Sequence, residues 1–461
     1  MAHRRPAARQ MRLASLGTKA GTGYAVHRAR RVFAAAERRD ELDRRFEINT
    51  AEQVAQTLAD MKGLLMKVGQ MASFMSDDLP EAFRVALAQL QQDGPTMSPE
   101  LAASVVAAEL GQPPERVFAE WDPVPIAAAS IGQVHRAITR DGLAVAVKVQ
   151  YPGVDEAIGA DLQNAELLYR VMGMVFKGLD PAPLAEELAE RFTEELDYRK
   201  EAANQREFAA VFAGHPFIHI PAVVDRYSTA RVLTTELASG ARLDELVHWS
   251  QAERNMAGEA VFRFSGRSLE QHRLLNGDAH PGNYLFRPGG RVSFLDFGLV
   301  KRVSHSEQGQ RHALLAAMHA GDATAYRRTL EETGVLRVGA PFSDERVLDY
   351  FRGNIPRPVA LDEEFTFTSE YTASVLRQFF DPGGPDKDVK QWHNMAAPSF
   401  LILGRRNFGV NAVLARLEAT ANWHRIAGEI WPWVNGPPST PLGREEAAWL
   451  ASTGAVAESV R

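Results

Sequence analysis

Three polar side chains between residues 278 and 296 have the types and the spacing that phosphoryl transfer requires. Asn283 and Asp296 offer an amide oxygen and a carboxylate oxygen, which a hard Mg²⁺ ion accepts as ligands while it bridges phosphate oxygens. Asp278 lies five residues before Asn283 and is placed to receive the proton of an attacking hydroxyl. This stretch therefore predicts a Mg²⁺-dependent phosphoryl-transfer site.

A β-hairpin is expected to bring these side chains together. Apolar runs at 284–286 and 292–297 flank Gly289 and Gly290, and a Gly-Gly pair tolerates the positive φ angles of a two-residue turn. With that turn, Asn283 is expected to lie opposite Asp296. Asp278 then falls in the loop that leads into the first strand.

A second expected strand carries a lysine at its centre. Residues 144–149 alternate, with valines at 145, 147 and 149 on one face and Lys148 between small residues on the other. A lysine in this position suggests a nearby anion, with an exposed edge strand as the alternative. Just upstream, the glycine positions of a G-x-G-x-x-G phosphate loop hold Ala127, Ala129 and Gly132. Because alanine resists positive φ, this loop should hold phosphates differently from an all-glycine loop.

Two expected helices carry further charged groups. In the first, residues 54–75, Lys67 and Gln70 lie one turn apart on the same face, with a solvated surface lysine as the alternative. In the second, residues 181–212, Glu195 and Glu201 are six positions apart and therefore point about 120° away from each other. One carboxylate is expected to pair with Lys148 and the other with a lysine outside the sheet.

Composition limits the classes of function. The 461 residues are 45% hydrophobic and contain no cysteine, which excludes disulfides, thiolate metal sites and a cysteine nucleophile. The net charge is −6, but residues 1–31 carry eight basic and no acidic residues, so the remainder carries −14. This basic arm suits an anionic membrane, nucleic acid or a transit segment, with a solvated tail as the alternative. No apolar run approaches the roughly 20 residues of a membrane span.

Taken in order, these elements resemble the UbiB family of atypical kinases, also called ABC1 or AarF kinases. The resemblance rests on the conjunction of six motifs rather than on any one of them. They are KVGQ at 67–70, AAASIGQVH at 127–135, VAVKVQ at 145–150, ELDYRKEA at 195–202, GDAHPGN at 277–283 and LDFG at 295–298.

The resemblance implies an α+β, bilobed protein-kinase-like fold with an N-terminal helical extension and a largely helical C-terminal lobe. The expected division is a basic arm at 1–45, a helical extension with the KxGQ motif at 46–120, and a kinase-like N-lobe with inserted helices at 121–238. A helical C-lobe with the catalytic loop and DFG follows at 239–435, and a C-terminal tail at 436–461.

The resemblance also implies ATP or ADP and Mg²⁺ as cofactors. Lys148, Glu201 and Asp278 take catalytic positions, whereas Asn283 and Asp296 take metal-ligand positions. The implied nucleotide-binding residues are Ala127, Ala128, Ala129, Ser130, Gly132, Lys148, Glu236 and Ala238. The implied regulatory motifs, KxGQ and ExD, comprise Lys67, Gln70, Glu195 and Asp197, with Glu195 reaching Lys67.

The function implied by the resemblance is that of an atypical kinase, with ATPase activity as its expected output, in support of ubiquinone or other isoprenoid-lipid metabolism. Expected partners are nucleotide, an anionic membrane surface, and a quinone or isoprenoid lipid or its biosynthetic proteins, but no nucleic acid.

Two alternative functions stay open. GDAHPGN also resembles the catalytic loop of aminoglycoside and choline kinases, small-molecule phosphotransferases, and the alanines allow a non-catalytic ADP-binding scaffold. The expected location is cytoplasmic or peripheral to a membrane, with organellar targeting by the basic arm as a further alternative.

Deletion of residues 1–31 is expected to lower flotation with anionic liposomes several-fold, since each basic residue near an anionic surface contributes about 1 kcal/mol. A contribution from the apolar face around 171–176 would persist in the truncated chain. The measurement compares full-length and truncated chains with anionic and neutral liposomes. Equal recovery in all four samples would contradict membrane attachment through the basic arm.

Overall fold

The computed structural model describes residues 97–129, 131–154, 196–352, 357–380, 392, 398–434 and 436–453. These residues form an α+β fold in which a five-stranded antiparallel sheet precedes a mainly helical part. The α-helices are α1 (Pro99–Leu110), α2 (Pro114–Val117), α3 (Tyr198–Val211), α4 (Gln251–Glu270), α5 (His305–Ala320), α6 (Ala323–Glu332), α7 (Asp344–Arg352), α8 (Arg357–Ala360), α9 (Ser369–Phe380), α10 (Pro398–Arg416), α11 (Trp423–Ile430) and α12 (Pro441–Thr453).

The strands are β1 (Glu120–Trp121), β2 (Ala127–Ala129), β3 (Gly132–Ile138), β4 (Ala144–Gln150), β5 (Ile218–His219), β6 (Val232–Glu236), β7 (Leu274–Asn276), β8 (Tyr284–Arg287), β9 (Arg291–Phe294), β10 (Val300–Arg302), β11 (Phe365–Thr366) and β12 (Thr420–Ala421). Short 3₁₀ helices span Asp225–Tyr227, Leu243–His248 and Pro281–Asn283.

The five-stranded sheet runs in the order β1-β3-β4-β6, with β2 paired to β3. A turn closed by a 2.9 Å hydrogen bond from Gly142 N to Thr139 O joins β3 to β4. The valines at 145, 147 and 149 are fully buried in a core shared with α1, while residues 144, 146 and 148 on the other face are partly exposed. The predicted alternation of this strand is therefore confirmed.

The register predicted for the β8–β9 hairpin is wrong by one residue. Its last pair is Arg287 with Arg291, so the loop has three residues, 288–290, instead of two. Asn283 therefore lies opposite Leu295, whose N donates to Asn283 O at 3.0 Å, and Asp296 lies one position beyond it. Tertiary contacts explain the longer loop, because its residues 289 and 290 pack or hydrogen-bond against α4 and α12.

The sequence of residues 255–275 predicts one helix over that whole range, but the observed helix ends earlier. Helix α4 stops at Glu270, and Arg273 adopts a left-handed φ of 58°. Leu274 and Leu275 then enter β7, which pairs with β10 and buries both side chains. The apolar pattern of the sequence thus continues past the end of the helix into β7. The boundary between the two elements depends on the pairing of β7 with β10, which the pattern does not contain.

The segment expected as a C-terminal tail contains the packed helix α12. Its Glu446 is fully buried and accepts hydrogen bonds from Arg263 at 2.8 Å and Arg267 at 2.9 Å, both on α4. Trp449 also donates Nε1 to Ala213 O at 3.2 Å. Within the described ranges, no helix combines the length and the apolar character that crossing a membrane requires.

Helix α10 approaches the loop between β7 and β8 at van der Waals distance. A Cβ added to Gly409 would lie 2.8 Å from Ala279 Cβ and 2.9 Å from Ala279 O, next to Asp278. Real Cβ atoms essentially never come so close, so the absence of a side chain at Gly409 sets this distance. At Gly404, earlier in α10, the nearest atom to an added Cβ is 3.6 Å away.

Gly409→Ala is expected to destabilise the fold by about 1–3 kcal/mol, because the new methyl group must displace backbone. Gly404→Ala is a matched control in the same helix and should be neutral or stabilise by up to about 1 kcal/mol through helix propensity. Denaturant unfolding of both variants measures the difference. Equal effects of the two substitutions would contradict the close approach.

Candidate active site

Lys148 lies at the centre of a charged cluster drawn from three separate segments. Its strand β4 is hydrogen-bonded on both sides, with Val134 of β3 and Leu233 of β6 as its register partners. Lys148 Nζ lies 2.9 Å from both carboxylate oxygens of Glu201 on α3 and 3.3 Å from Asp296 Oδ2. The Lys148 side chain is 14% exposed, so the cluster remains accessible from one side.

The charges of this cluster support one another. Burial alone would lower the pKa of Lys148, but the carboxylates of Asp296 and Glu201 outweigh it and hold that pKa well above its usual value. The lysine is therefore a fixed cation at neutral pH. Such a cation suits the binding of phosphate oxygens.

Helix α3 positions Glu201. Asp197 caps the helix by accepting a 3.0 Å hydrogen bond from Arg199 N, and its carboxylate also pairs with the Arg199 side chain at 2.9 Å. Among the described residues, the hydrogen bonds of Asp197 therefore stabilise the N-terminus of its own helix, α3. Its predicted motif partner Glu195, like Lys67 and Gln70, lies outside the described residues.

The loop after β9 holds Asp296. Gly298 N donates to Asp296 Oδ1 at 2.9 Å, and Asn276 Nδ2 donates to the Asp296 backbone oxygen at 3.0 Å. Asn204 of α3 donates Nδ2 to the carbonyl of the fully buried Phe297 at 2.9 Å. Helix α3 therefore contacts this loop independently of its contact with Lys148.

Asp278 and Asn283 both lie in the segment between β7 and β8. Asn283 Nδ2 donates to both the backbone oxygen and Oδ2 of Asp278, each at 3.1 Å. Asn276 Oδ1 accepts from Asp278 N at 2.9 Å. Asn276 thus bonds to the backbones of both Asp278 and Asp296 and fixes one relative to the other.

The donor set fits a Mg²⁺ ion. In the described part of the chain, no three His, Asp or Glu side chains cluster to hold a metal by themselves. Mg²⁺ commonly needs only one or two protein oxygens, because phosphate and water complete its shell. Asn283 engages its amide nitrogen with Asp278, which leaves Oδ1 for a cation, and each oxygen of Asp296 retains a lone pair.

The alanine-rich segment is a strand rather than an open loop. Residues 127–129 form β2, in which Ala127 pairs with Val134 and Ala129 with Gly132. Ser130 lies outside the described residues. A Cβ at Gly132 would overlap the carbonyl oxygen of Val149, so β3 and β4 approach as closely here as a residue without a side chain permits. Because residues 127–129 pair regularly with β3, their backbone has the ordinary φ angles of a strand. Alanine adopts these angles without strain, so the segment does not need glycine.

Glu236 and Ala238, which are also predicted to bind the nucleotide, lie at and just after the end of β6. Glu236 N donates to Ala222 O at 2.8 Å, and its carboxylate lies 3.4 Å from His219 Nε2. Ala238 follows in an irregular stretch, and its backbone N–H and C=O form no hydrogen bond within the described ranges. An open backbone donor and acceptor at this point suits the edge of a base.

Residues 89–330 match the ABC1 atypical kinase-like domain. The chain belongs to the ABC1 atypical kinase-like family. It is 36% identical to the atypical kinase COQ8B, mitochondrial, of Rattus norvegicus over 87% of this chain and 78% of that protein. It is 29% identical to the atypical kinase COQ8, mitochondrial, of Saccharomyces cerevisiae over 71% of each.

A solved structure extends the similarity to the fold. The Mycobacterium tuberculosis protein Rv3197, in complex with erythromycin, is 30% identical and matches with a TM-score of 0.59 over 85% of this chain and 98% of that one. The ABC1 family and the kinase-like α+β fold predicted from the six motifs are therefore confirmed. The roles of the individual site residues in this ABC1 protein stay predictions.

Sequence reasoning missed Tyr198. Its ring lies under Lys148, with Nζ 5.1 Å from the ring centroid, and burial raises the pKa of its hydroxyl. That hydroxyl has no hydrogen-bond partner within the described part of the chain and would lie 2.9 Å from a Cβ at Gly132. The sequence did offer one indication of Tyr198, because this residue directly follows Asp197 of the predicted ExD motif.

Tyr198→Phe is expected to keep or slightly raise stability, because it retains the ring under Lys148 and removes a buried hydroxyl that lacks a partner. Tyr198→Leu should destabilise by about 1–3 kcal/mol, since it loses both the cation–π contact and packed volume. Denaturant unfolding of the two variants provides the measurement. A loss in Tyr198→Phe as large as that in Tyr198→Leu would show that the hydroxyl has a partner.

Proposed function

We propose that this ABC1-family chain binds ATP or ADP with Mg²⁺ and acts as an atypical kinase or ATPase. One observation carries the proposal. Lys148, Glu201 and Asp296, which are up to 148 positions apart in the sequence, meet within 3.3 Å beside the Asp278–Asn283 segment. Phosphoryl transfer depends mainly on positioning and on charge stabilisation, which such a cluster of fixed charges provides.

The contacts of the site residues support one proposed role for each of them. Lys148 would position the nucleotide phosphates, and Glu201, with both oxygens at 2.9 Å, keeps the ammonium group in place. Asn283 and Asp296 would hold Mg²⁺, which neutralises phosphate charge when bound. Ala238 would offer its open backbone groups to the adenine.

Asp278 would orient the attacking water or hydroxyl and accept its proton. Its Oδ2 already accepts from Asn283 Nδ2, which fixes the rotation of the carboxylate. The same amide thus orients the proposed base through its nitrogen, and its oxygen would be the atom that holds the proposed metal. Asp278 and Asn283 are therefore expected to act as one unit.

We extend the proposal to quinone or other isoprenoid-lipid metabolism at a membrane surface. Its support is the similarity to the mitochondrial kinases COQ8B and COQ8, together with the UbiB motifs and the acid-free basic arm. Lys67, Gln70 and Glu195 are proposed to restrain protein phosphorylation, so that hydrolysis of ATP is the main output.

Asp296→Asn is expected to lower nucleotide hydrolysis at least about a hundredfold, because it replaces the carboxylate proposed to hold Mg²⁺ with a neutral amide of nearly the same shape. The exposed Asp349 on α7 provides the matched control, and Asp349→Asn should hydrolyse at the wild-type rate. Phosphate release is measured with Mg²⁺, and circular dichroism verifies folding. An unchanged rate in folded Asp296→Asn would refute the assignment.

Calorimetry with ADP and ATP, with and without Mg²⁺, separates the alternatives. Tight nucleotide binding without turnover would favour the ADP-binding scaffold. Stoichiometric phosphorylation of a polar alcohol would favour a small-molecule phosphotransferase. Mg²⁺-dependent binding with hydrolysis, and no such product, is the expected result.

A further inference from the structure

The helical part contains a cavity of about 280 Å³ that is separate from the charged cluster around Lys148. Helices α4, α5, α6, α10 and α11 contribute to its wall, together with β7 and β10. Most of the lining side chains are apolar, for example Phe262, Leu314, Leu315, Val410 and Ile430. At about 30 Å³ for each water of the liquid, the volume equals that of roughly nine waters. Mostly apolar pockets with a few placed polar groups bind small molecules.

The charges on the wall of this cavity do not cancel. Lys301 pairs with Glu307 at 3.0 Å, and Arg311 pairs with Glu270 at 2.7 Å. Arg406 is different, because the hydrogen-bond partners that the described residues give it are neutral. They are Ser265 Oγ at 2.6 Å and Asn407 Oδ1 at 2.8 Å. One guanidinium on the wall therefore lacks a carboxylate in direct contact within this part of the structure.

The surroundings of Arg406 indicate that its accessible surface faces the cavity. The side chain is only half-buried by accessible area, yet burial lowers its pKa to about 10. Arg406 is one of the residues that line the cavity, so part of its accessible surface faces that space. Arg406 and Arg311 both interact with the carboxylate of Glu270, and Arg311 pairs with it directly, so this part of the wall keeps an excess positive charge that an anion would offset.

Asn411 provides a second, independent observation. It lines the same cavity, is 8% exposed, and its Nδ2 has no hydrogen-bond partner within the described ranges. Buried amide donors are normally satisfied, so this one is available to an acceptor atom that enters the cavity. Arg406 and Asn411 both belong to α10, which thus supplies a cation and a hydrogen-bond donor to an otherwise mostly apolar space.

We propose that this cavity binds an amphiphile with an apolar chain and an anionic oxygen head group, either a carboxylate or a phosphate monoester. The head group contacts Arg406, an oxygen of the ligand accepts from Asn411 Nδ2, and the chain packs against the apolar wall. The site shares no residue with the proposed nucleotide site. The inference therefore goes beyond the proposed function and stands whether or not the chain hydrolyses ATP.

The test uses the full chain without nucleotide and four probes below their micellar concentrations, observed by ligand NMR. Octanoate and octyl phosphate carry the two head groups, octanol carries the chain alone, and acetate carries the carboxylate alone. Octanoate or octyl phosphate should saturate one site at least tenfold more tightly than octanol, and acetate should not saturate. A preference for octanoate identifies a carboxylate head group, and a preference for octyl phosphate identifies a phosphate ester.

Variants locate the site. Arg406→Met should weaken binding of the preferred anionic probe at least tenfold and leave octanol unchanged, whereas Arg406→Lys should restore part of the affinity. Arg416→Met is the matched control, because Arg416 is exposed on the same helix, and it should bind like the wild type. Leu315→Trp fills the cavity from its partly exposed rim and should weaken octanol and the anionic probe alike.

Three outcomes would overturn the proposal. They are the absence of saturable binding of both anionic probes, equal affinity in Arg406→Met and Arg416→Met, and an unchanged affinity in Leu315→Trp. Thermal unfolding of every variant verifies the fold, and Leu315→Trp tests the location without altering Arg406. Because no probe is a nucleotide, loss of hydrolysis in Asp296→Asn has no bearing on the result.

Discussion

The contact between Lys148 and Glu201 joins the sheet to helix α3, and the other groups of the site depend on it. A buried ion pair is weak evidence for stability, since the cost of removing two charges from water offsets much of their attraction. In this structure the ion pair matters because it holds two elements of the fold in position. With both carboxylate oxygens at 2.9 Å, the pair fixes the distance between β4 and α3, and Asp296 at 3.3 Å adds the loop after β9 to the same point. A change in any of the three segments alters the charge balance of the other two.

Helix α3 has further contacts with the fold besides the ion pair of Glu201 with Lys148. Asp197 satisfies its first turn, and Asn204 holds the carbonyl of Phe297 at 2.9 Å. Phe208 then packs on the Phe297 ring with centroids 4.8 Å apart, inside the main core. The helix is therefore fixed at its start, middle and end. A rotation that withdrew Glu201 from Lys148 would break core packing as well as an ion pair.

Sequence patterns predicted the structural features that depend on interactions between residues close together in the chain. The alternation around Lys148 follows from one buried face of a strand, so the sequence sufficed for it. The family and the fold followed from six motifs in order. The register of Asn283 did not, because contacts of the hairpin loop with α4 and α12 select a three-residue loop, and no hairpin rule contains those contacts. Tyr198 and Asn276 were missed for a similar reason. Each acts through partners distant in the chain, such as Lys148 and Asp296, and neither belongs to a residue type that signals chemistry by itself.

The catalytic loop and the cavity share their supporting elements. Helix α10 places Arg406 on the cavity wall and, one turn later, Gly409 against Ala279, where backbone meets backbone with no space for a methyl group. Leu275 of β7 lines the same cavity, and Gly277 N then bonds to Leu299 O at 2.9 Å just before Asp278. Close-packed contacts of this kind transmit displacement instead of absorbing it. A displacement of α10 is therefore expected to reach Ala279, and any coupling between a ligand in the cavity and a group at Asp278 would be reciprocal, each changing the free energy of binding of the other by the same amount.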